Sequence, residues 1–292
     1  MIKGLFCGSE RAVRRTLVSP RWSYHPFLVI FALLGTRTAS AGEDGCEKIF
    51  AAIVGEAYPQ AQTLSDSEFT AEGAAVFLAK DDAERAPYSL VCRVWPAQPQ
   101  FLLVAVPLIR EMSDMATTGD LDVIVLDAGT FKVQRRLRLQ EAIDDDAFKI
   151  RAIAFDTARY QVAPGQMAFG IRIAKKGSSR VNPLDEVSLS LFVIDDEHLR
   201  PVLEGIVTDR YAGEWDSNCA GTVTTTNRVL SMGDKGAHTY ADIWATERTS
   251  VTTTMVDGEG ECVEHISHGD PHRIQLIFDG ERYKVPQAMK PL

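Results

Sequence analysis

Signatures of known chemistry are sparse in this chain of 292 residues, and each gap excludes something. There is no Gly-x-Ser-x-Gly, so the strand–serine–helix elbow of serine hydrolases has no support. No glycine-rich stretch follows a strand and opens a helix, which leaves no phosphate cradle. Asp257, Glu259 and Glu261 lack the Asp-x-Asp-x-Asp-Gly order and distal Glu of a calcium loop, and read as a hairpin turn. The chain has 5 cysteines and no Cys-x-x-Cys, which argues against a thioredoxin-like redox site or a zinc knuckle. Beyond residue 41 no apolar stretch reaches the ~20 residues of a membrane-spanning helix.

Positive charge is scarce outside the N-terminus. Lys3, Arg11, Arg14, Arg15, Arg21 and Arg37 stand in the first 41 residues with one acid, Glu10. Taking these six bases and one acid from the 31 bases and 40 acids of the chain leaves a net charge of −14 on the remainder. Such a balance disfavours nucleic acid and anionic membrane surfaces, which require basic patches. It tolerates a basic partner and keeps an exported protein dispersed.

The N-terminus itself is patterned. A basic region over residues 1–25 precedes the apolar run Pro26–Gly35, and Ala39-Ser40-Ala41 follows as a small-residue cleavage site. This order predicts a secretory signal peptide over 1–41, a mature start at Gly42 and a periplasmic or secreted protein. A run of about ten apolar residues is too short to span a bilayer, which weighs against an N-terminal anchor. Arg14-Arg15 resembles a twin-arginine signal but lies well before the apolar run, so the general secretory route is expected. Cys46 stands five residues past Ala41, not directly after the apolar run as lipid attachment requires.

Cys7 leaves with the signal. Cys46, Cys92, Cys219 and Cys262 remain, an even number in an exported chain, so two disulfides are expected with three connectivities open. The pairing Cys46–Cys92 and Cys219–Cys262 keeps each bridge within one lobe and is the one expected here.

Hydrophobic alternation dominates the rest. Met167, Phe169, Ile171 and Ile173 share one parity, and Val187, Leu189, Leu191 and Val193 share another. In Ile150–Val162 the parity switches, which predicts a bulge or two covered faces. Tight polar turns join these segments, so an antiparallel meander is predicted over 148–209. Three hairpins repeat one device: an apolar strand, an Asp at the turn (Asp127, Asp195, Asp279) and a second strand, the Asp bonding the backbone just beyond it. Their spacings differ, so hairpin chemistry is preferred to the alternative of an irregular β-propeller. Glu47–Tyr58 predicts a helix, with Ile49, Phe50, Ile53, Val54 and Ala57 on one face. The fold class is therefore mainly β (α+β), with antiparallel meander or sandwich-like sheets and one N-terminal helix. The polar stretch Met112–Gly119 divides a small α+β lobe (42–118) from an antiparallel β lobe (119–292), unless the two form one continuous domain.

Three constellations qualify as candidate sites. Cys262-x-x-His265-x-x-His268-x-Asp270-x-His272 gathers metal-ligand types, and His268, Asp270 and His272 could share a strand face. Gly269 and Pro271 break that strand, so a polar loop is the preferred reading. Trp215, with Asp216, Asn218 and Cys219, forms an aromatic loop suited to a partner contact, but the preferred reading is that Trp215 covers the disulfide and the sheet end. Lys175, Lys176 and Arg180 make a small basic spot in a second loop, 175–183. The Asp144–Asp146 run reads as a solvated turn. No cofactor is expected. The preferred function is a non-catalytic envelope protein binding an unknown protein or glycan. The alternatives are an exported hydrolase with a dispersed His/acid site and, less favoured, a metal-binding protein.

Overall fold

Alternating apolar residues on long segments force strands to pair and bury one face, and the chain does this twice. The computed structural model describes residues 46–78, 83–196 and 198–292. The expected signal peptide, residues 79–82 and Glu197 lie outside them. Among the described residues the strands form two antiparallel sheets, one seven-stranded and one eight-stranded, with no radial blades. The mainly β architecture is thus as expected and the propeller is not formed.

The first sheet holds β1 (Gln62–Ser65), β2 (Glu68–Ala71), β3 (Ala74–Phe77), β4 (Val91–Val94), β5 (Phe101–Met112), β6 (Thr117–Asp127) and β7 (Val133–Asp145). Its order is β1-β2-β3-β5-β6-β7, with β4 also paired to β5. The helix α1 (Phe50–Ala57) lies on this sheet, burying Phe50, Ile53, Val54 and Ala57 at helical spacing. Those side chains join Val104, Val106, Ile124 and Leu126 in one apolar cluster, with the Cys46–Cys92 disulfide inside it.

The second sheet holds β8 (Phe148–Ala163), β9 (Gln166–Gly177), β10 (Leu184–Asp195), β11 (His198–Trp215), β12 (Gly221–Lys235), β13 (Ala241–Val256), β14 (Cys262–His268) and β15 (His272–Leu276). It is a meander, β8 to β14 in sequence order, with β15 on β13. The parity switch in 150–162 has a structural cause: the β8–β9 register shifts between Ile150 and Ala152 and again between Asp156 and Tyr160. A second cluster, with Trp95, Leu103 and Val123 from the first sheet and Phe155, Phe169 and Phe192 from the second, sits between the sheets. Trp95 meets Phe169 edge-on at 5.2 Å. A third cluster packs Leu189, Leu191, Val202 and Ile206 with Phe278, Tyr283 and Met289 from the C-terminal segment.

The polar stretch 112–119 spans the hairpin turn 113–116 between β5 and β6 of the first sheet, with Met112 opposite Thr117. The Asp turns form as expected at Asp127 and Asp279, while the turn after Asp195 includes Glu197, outside the described residues. Asp127 Oδ1 accepts from the N–H of Gly129 at 3.1 Å and of Thr130 at 2.8 Å, and Asp279 Oδ1 from Glu281 and Arg282. Asp257 caps its turn in the same way, accepting from Glu259 and Glu261.

One reading is corrected. Asp144 and Asp146 are exposed, but Asp145 between them is fully buried. Its carboxylate accepts from the N–H of Thr117 at 2.8 Å, the N–H of Ile150 at 3.2 Å and the Tyr88 hydroxyl. A buried carboxylate needs such partners. The sequence hides this because the two neighbours face solvent.

A buried ionic cluster ties α1 to the sheet. Asp122 on β6 is 0% exposed and lies opposite Arg138 on β7. It accepts from Arg138 Nε at 2.7 Å, Arg136 Nε at 2.9 Å and the Tyr58 hydroxyl at 2.6 Å. Arg136 also stacks over the Tyr58 ring at 4.6 Å and bonds the Ala57 carbonyl at the helix C-terminus.

Candidate functional site

Far from these clusters the second sheet continues as a bare tip. Among the described residues, none of the three apolar clusters draws on 209–229 or 246–273. The tip is made instead of β-branched residues. Thr222, Val223, Thr224, Thr225 and Thr226 on β12 pair in unbroken register with Thr253, Thr252, Val251, Ser250 and Thr249 on β13. Such residues fit a half-exposed pleated surface, and cross-strand pairs replace a core. The Cys219–Cys262 disulfide, with Cα atoms 5.7 Å apart, staples the β11–β12 turn to the start of β14. The connectivity is the sequential one.

Register decides which side chains meet on one face of this tip. Trp215 on β11 lies opposite Gly221 on β12, Gly221 opposite Thr254 on β13, and Thr254 opposite Glu264 on β14. Two residues along, Gly213, Val223, Thr252 and Ile266 form the next row on that face. Two further along come Tyr211, Thr225, Ser250 and His268. Tyr211 and Trp215 thus stand on one strand, ~14 Å apart at ~3.4 Å per residue, with Gly213 leaving a gap between them. A groove of about 480 Å³ opens there, lined by both aromatics, Thr252, Thr254 and Glu264, and by Arg180 from the 175–183 loop.

Glycine is required at two points. A Cβ on Gly221 would stand 2.5 Å from Cε3 of Trp215, so the ring lies directly on Gly221. A Cβ on Gly213 would stand 2.2 Å from the Thr222 carbonyl oxygen. Trp215 is accordingly half-buried with one ring face down on the sheet, while Tyr211 is 42% exposed.

The two loops singled out from sequence converge at this groove. The Trp215 N–H donates to the Val181 carbonyl at 2.7 Å, and the Gly213 N–H to the Pro183 carbonyl at 3.2 Å. Asp216 lines an adjoining cavity that shares Trp215, Gly221 and Thr254. Its carboxyl is held below the usual carboxylate range by the Asn218 N–H at 2.8 Å. Asn218 serves that turn. The basic spot is dispersed: Lys175 bonds the Asp144 carbonyl at 2.8 Å and Lys176 lies 3.4 Å from Asp185, leaving Arg180 at the groove.

His268 ends β14, His272 begins β15 and Asp270 stands between them, all three exposed. Among the described residues, no three His, Cys, Asp or Glu side chains are grouped so as to hold a metal ion.

Sequence reasoning missed Tyr211, Thr252, Thr254 and Glu264. The signal was present in the turns. Counting back from the 216–220 turn puts Gly221 against Trp215, and counting from the Asp257 turn puts Thr254 against Glu264. Compared with protein-family models, curated proteins and solved structures, this chain matches none.

Proposed function

We propose that this chain is an exported, non-catalytic binding protein of the cell envelope, and that the groove at the tip of the second sheet is its contact surface. The observation that carries this reading is the convergence of loops 175–183 and 213–218 on one groove with two aromatic side chains over a glycine floor. A rigid sheet that presents loops and half-exposed aromatics is the usual build of a recognition surface. The two disulfides support an oxidising compartment.

Export is tested directly. N-terminal sequencing of the protein recovered from its cells is expected to begin at Gly42. A recovered protein that still carries residues 1–25 would remove that part of the reading.

Binding is tested by co-sedimentation of the purified mature protein with the envelope fraction of its own cells. Trp215→Ala is expected to weaken retention by about 2 kcal/mol, roughly thirtyfold, with the fold left intact. Equal retention of the two proteins would sink the groove as contact surface. Hydrolysis of envelope material, abolished by Glu264→Gln, would replace the non-catalytic reading with that of an exported hydrolase.

A further inference from the structure

We infer that the groove takes a chain of neutral sugars, laid between Trp215 and Tyr211 over Thr252 and Thr254. This deepens the binding reading above and rests on it. Charge points first to a neutral ligand. The lining carries one cation, Arg180, and one anion, Glu264. A phosphate-bearing or polyanionic ligand would need several cations, and a strongly basic one several acids.

The floor then excludes an extended peptide added as a strand. Such peptides bind through free backbone groups on a sheet edge. Here the groove lies on a sheet face, and the strands beneath it, β11 to β14, are already paired with one another through 209–215, 221–227, 248–254 and 262–268. Recognition falls to side chains alone.

Those side chains match a sugar. Each threonine hydroxyl both donates and accepts, as each sugar hydroxyl does, so half-buried Thr252, with Thr254 buried beside it, can pair with it in either sense. Glu264 accepts and Arg180 donates at the rim. The aromatic rings present electron-rich faces, which attract the slightly positive C–H edges of a pyranose. Trp215 is fixed by its seat on Gly221, so little side-chain freedom is lost on binding. A volume of about 480 Å³ is that of a small-ligand site.

The test uses immobilised tetrasaccharides of glucose, mannose, galactose and N-acetylglucosamine with the full mature protein. At least one is expected to bind, with an affinity that raised salt leaves within about twofold, because screening acts on charges only. Trp215→Ala is expected to weaken that binding about thirtyfold and Tyr211→Ala about tenfold, with Trp215→Phe restoring most of the loss. Glu264→Gln, an exposed change, keeps the test informative if an aromatic variant misfolds.

Failure of all four sugars to bind wild type, or binding indifferent to these changes, overturns the sugar ligand. If Trp215-dependent retention on the envelope persists and protease treatment of the envelope removes it, the ligand is a protein, and the binding reading stands without the sugar. If neither sugar binding nor retention depends on Trp215, both readings fall.

Discussion

Replacing Asp122 by alanine is expected to cost about 3–5 kcal/mol of unfolding free energy, the range found when one member of a buried ion pair is removed. The carboxylate is fully buried and is the common acceptor for Arg136, Arg138 and Tyr58. Without it the two guanidinium groups face each other with Glu72, which is 47% exposed and itself screened by water. The Tyr58 hydroxyl is left without its acceptor beneath α1. Glu72→Ala, by contrast, is expected to cost about 1 kcal/mol or less. Urea unfolding of the two variants decides it. A loss below about 1 kcal/mol in Asp122→Ala would show that the cluster contributes no net stability.

The same group predicts an acid response. Burial pushes the Asp122 carboxyl up, but hydrogen bonds from Arg138 and Tyr58 and the Arg136 charge outweigh it and hold the group below the usual carboxylate range. A carboxyl depressed in the folded state contributes stability that is present above its unfolded value, about 3.9, and is lost as pH falls through the folded one. Wild type should therefore lose more stability than Asp122→Asn on acidification from about pH 4 downward. Parallel stability curves for the two proteins would rule this out.

Removing the Cys219–Cys262 bridge by paired change to serine is expected to open the tip and leave the remainder folded. The bridge closes 43 residues, and loop closure alone assigns it about 4 kcal/mol. Among the described residues, no apolar cluster underlies 209–229 or 246–273 to replace it. Amide exchange should quicken through 212–226 and 250–268, while 102–108 and 121–126 keep their protection. Envelope retention through the groove should fall with it, since Trp215 sits four residues from Cys219. The Cys46–Cys92 bridge lies inside a cluster with α1 and β5, so its removal should instead lower protection across the first sheet. Uniform loss of protection in both variants would contradict this division of labour.

What the sequence shows about this fold is periodicity. The meander from Phe148 onward, the helical face of Phe50, Ile53, Val54 and Ala57, and the Asp turns are all local patterns, and local patterns are visible in one chain. Asp145 was not, because its burial depends on Tyr88, Thr117 and Ile150, which arrive from three other segments. The groove was half visible. Trp215 and Arg180 stood out as residues unlike their neighbours. Tyr211, Thr252 and Glu264 look ordinary in sequence, and only cross-strand register gathers them. The apparent basic spot dissolved for the same reason: Lys175 and Lys176 point to acceptors, Asp144 and Asp185, that sequence does not place beside them.

The meander order has a kinetic meaning. From β9 to β14 each strand pairs with the one made immediately before it. Contacts close in sequence are made quickly, because little chain must be gathered to close each loop. A chain delivered N-terminus first can therefore lay down this sheet hairpin by hairpin, each finished edge serving as template for the next strand. The late step is the return of the C-terminal segment: Tyr283 bonds Val202 at 2.7 Å, Pro291 rests on Gly205, and the Leu292 N–H reaches Glu186 at 3.3 Å. Until then Leu189, Leu191 and Ile206 lack the cover of Phe278, Tyr283 and Met289, and the nascent sheet carries an apolar face that its own tail helps to close.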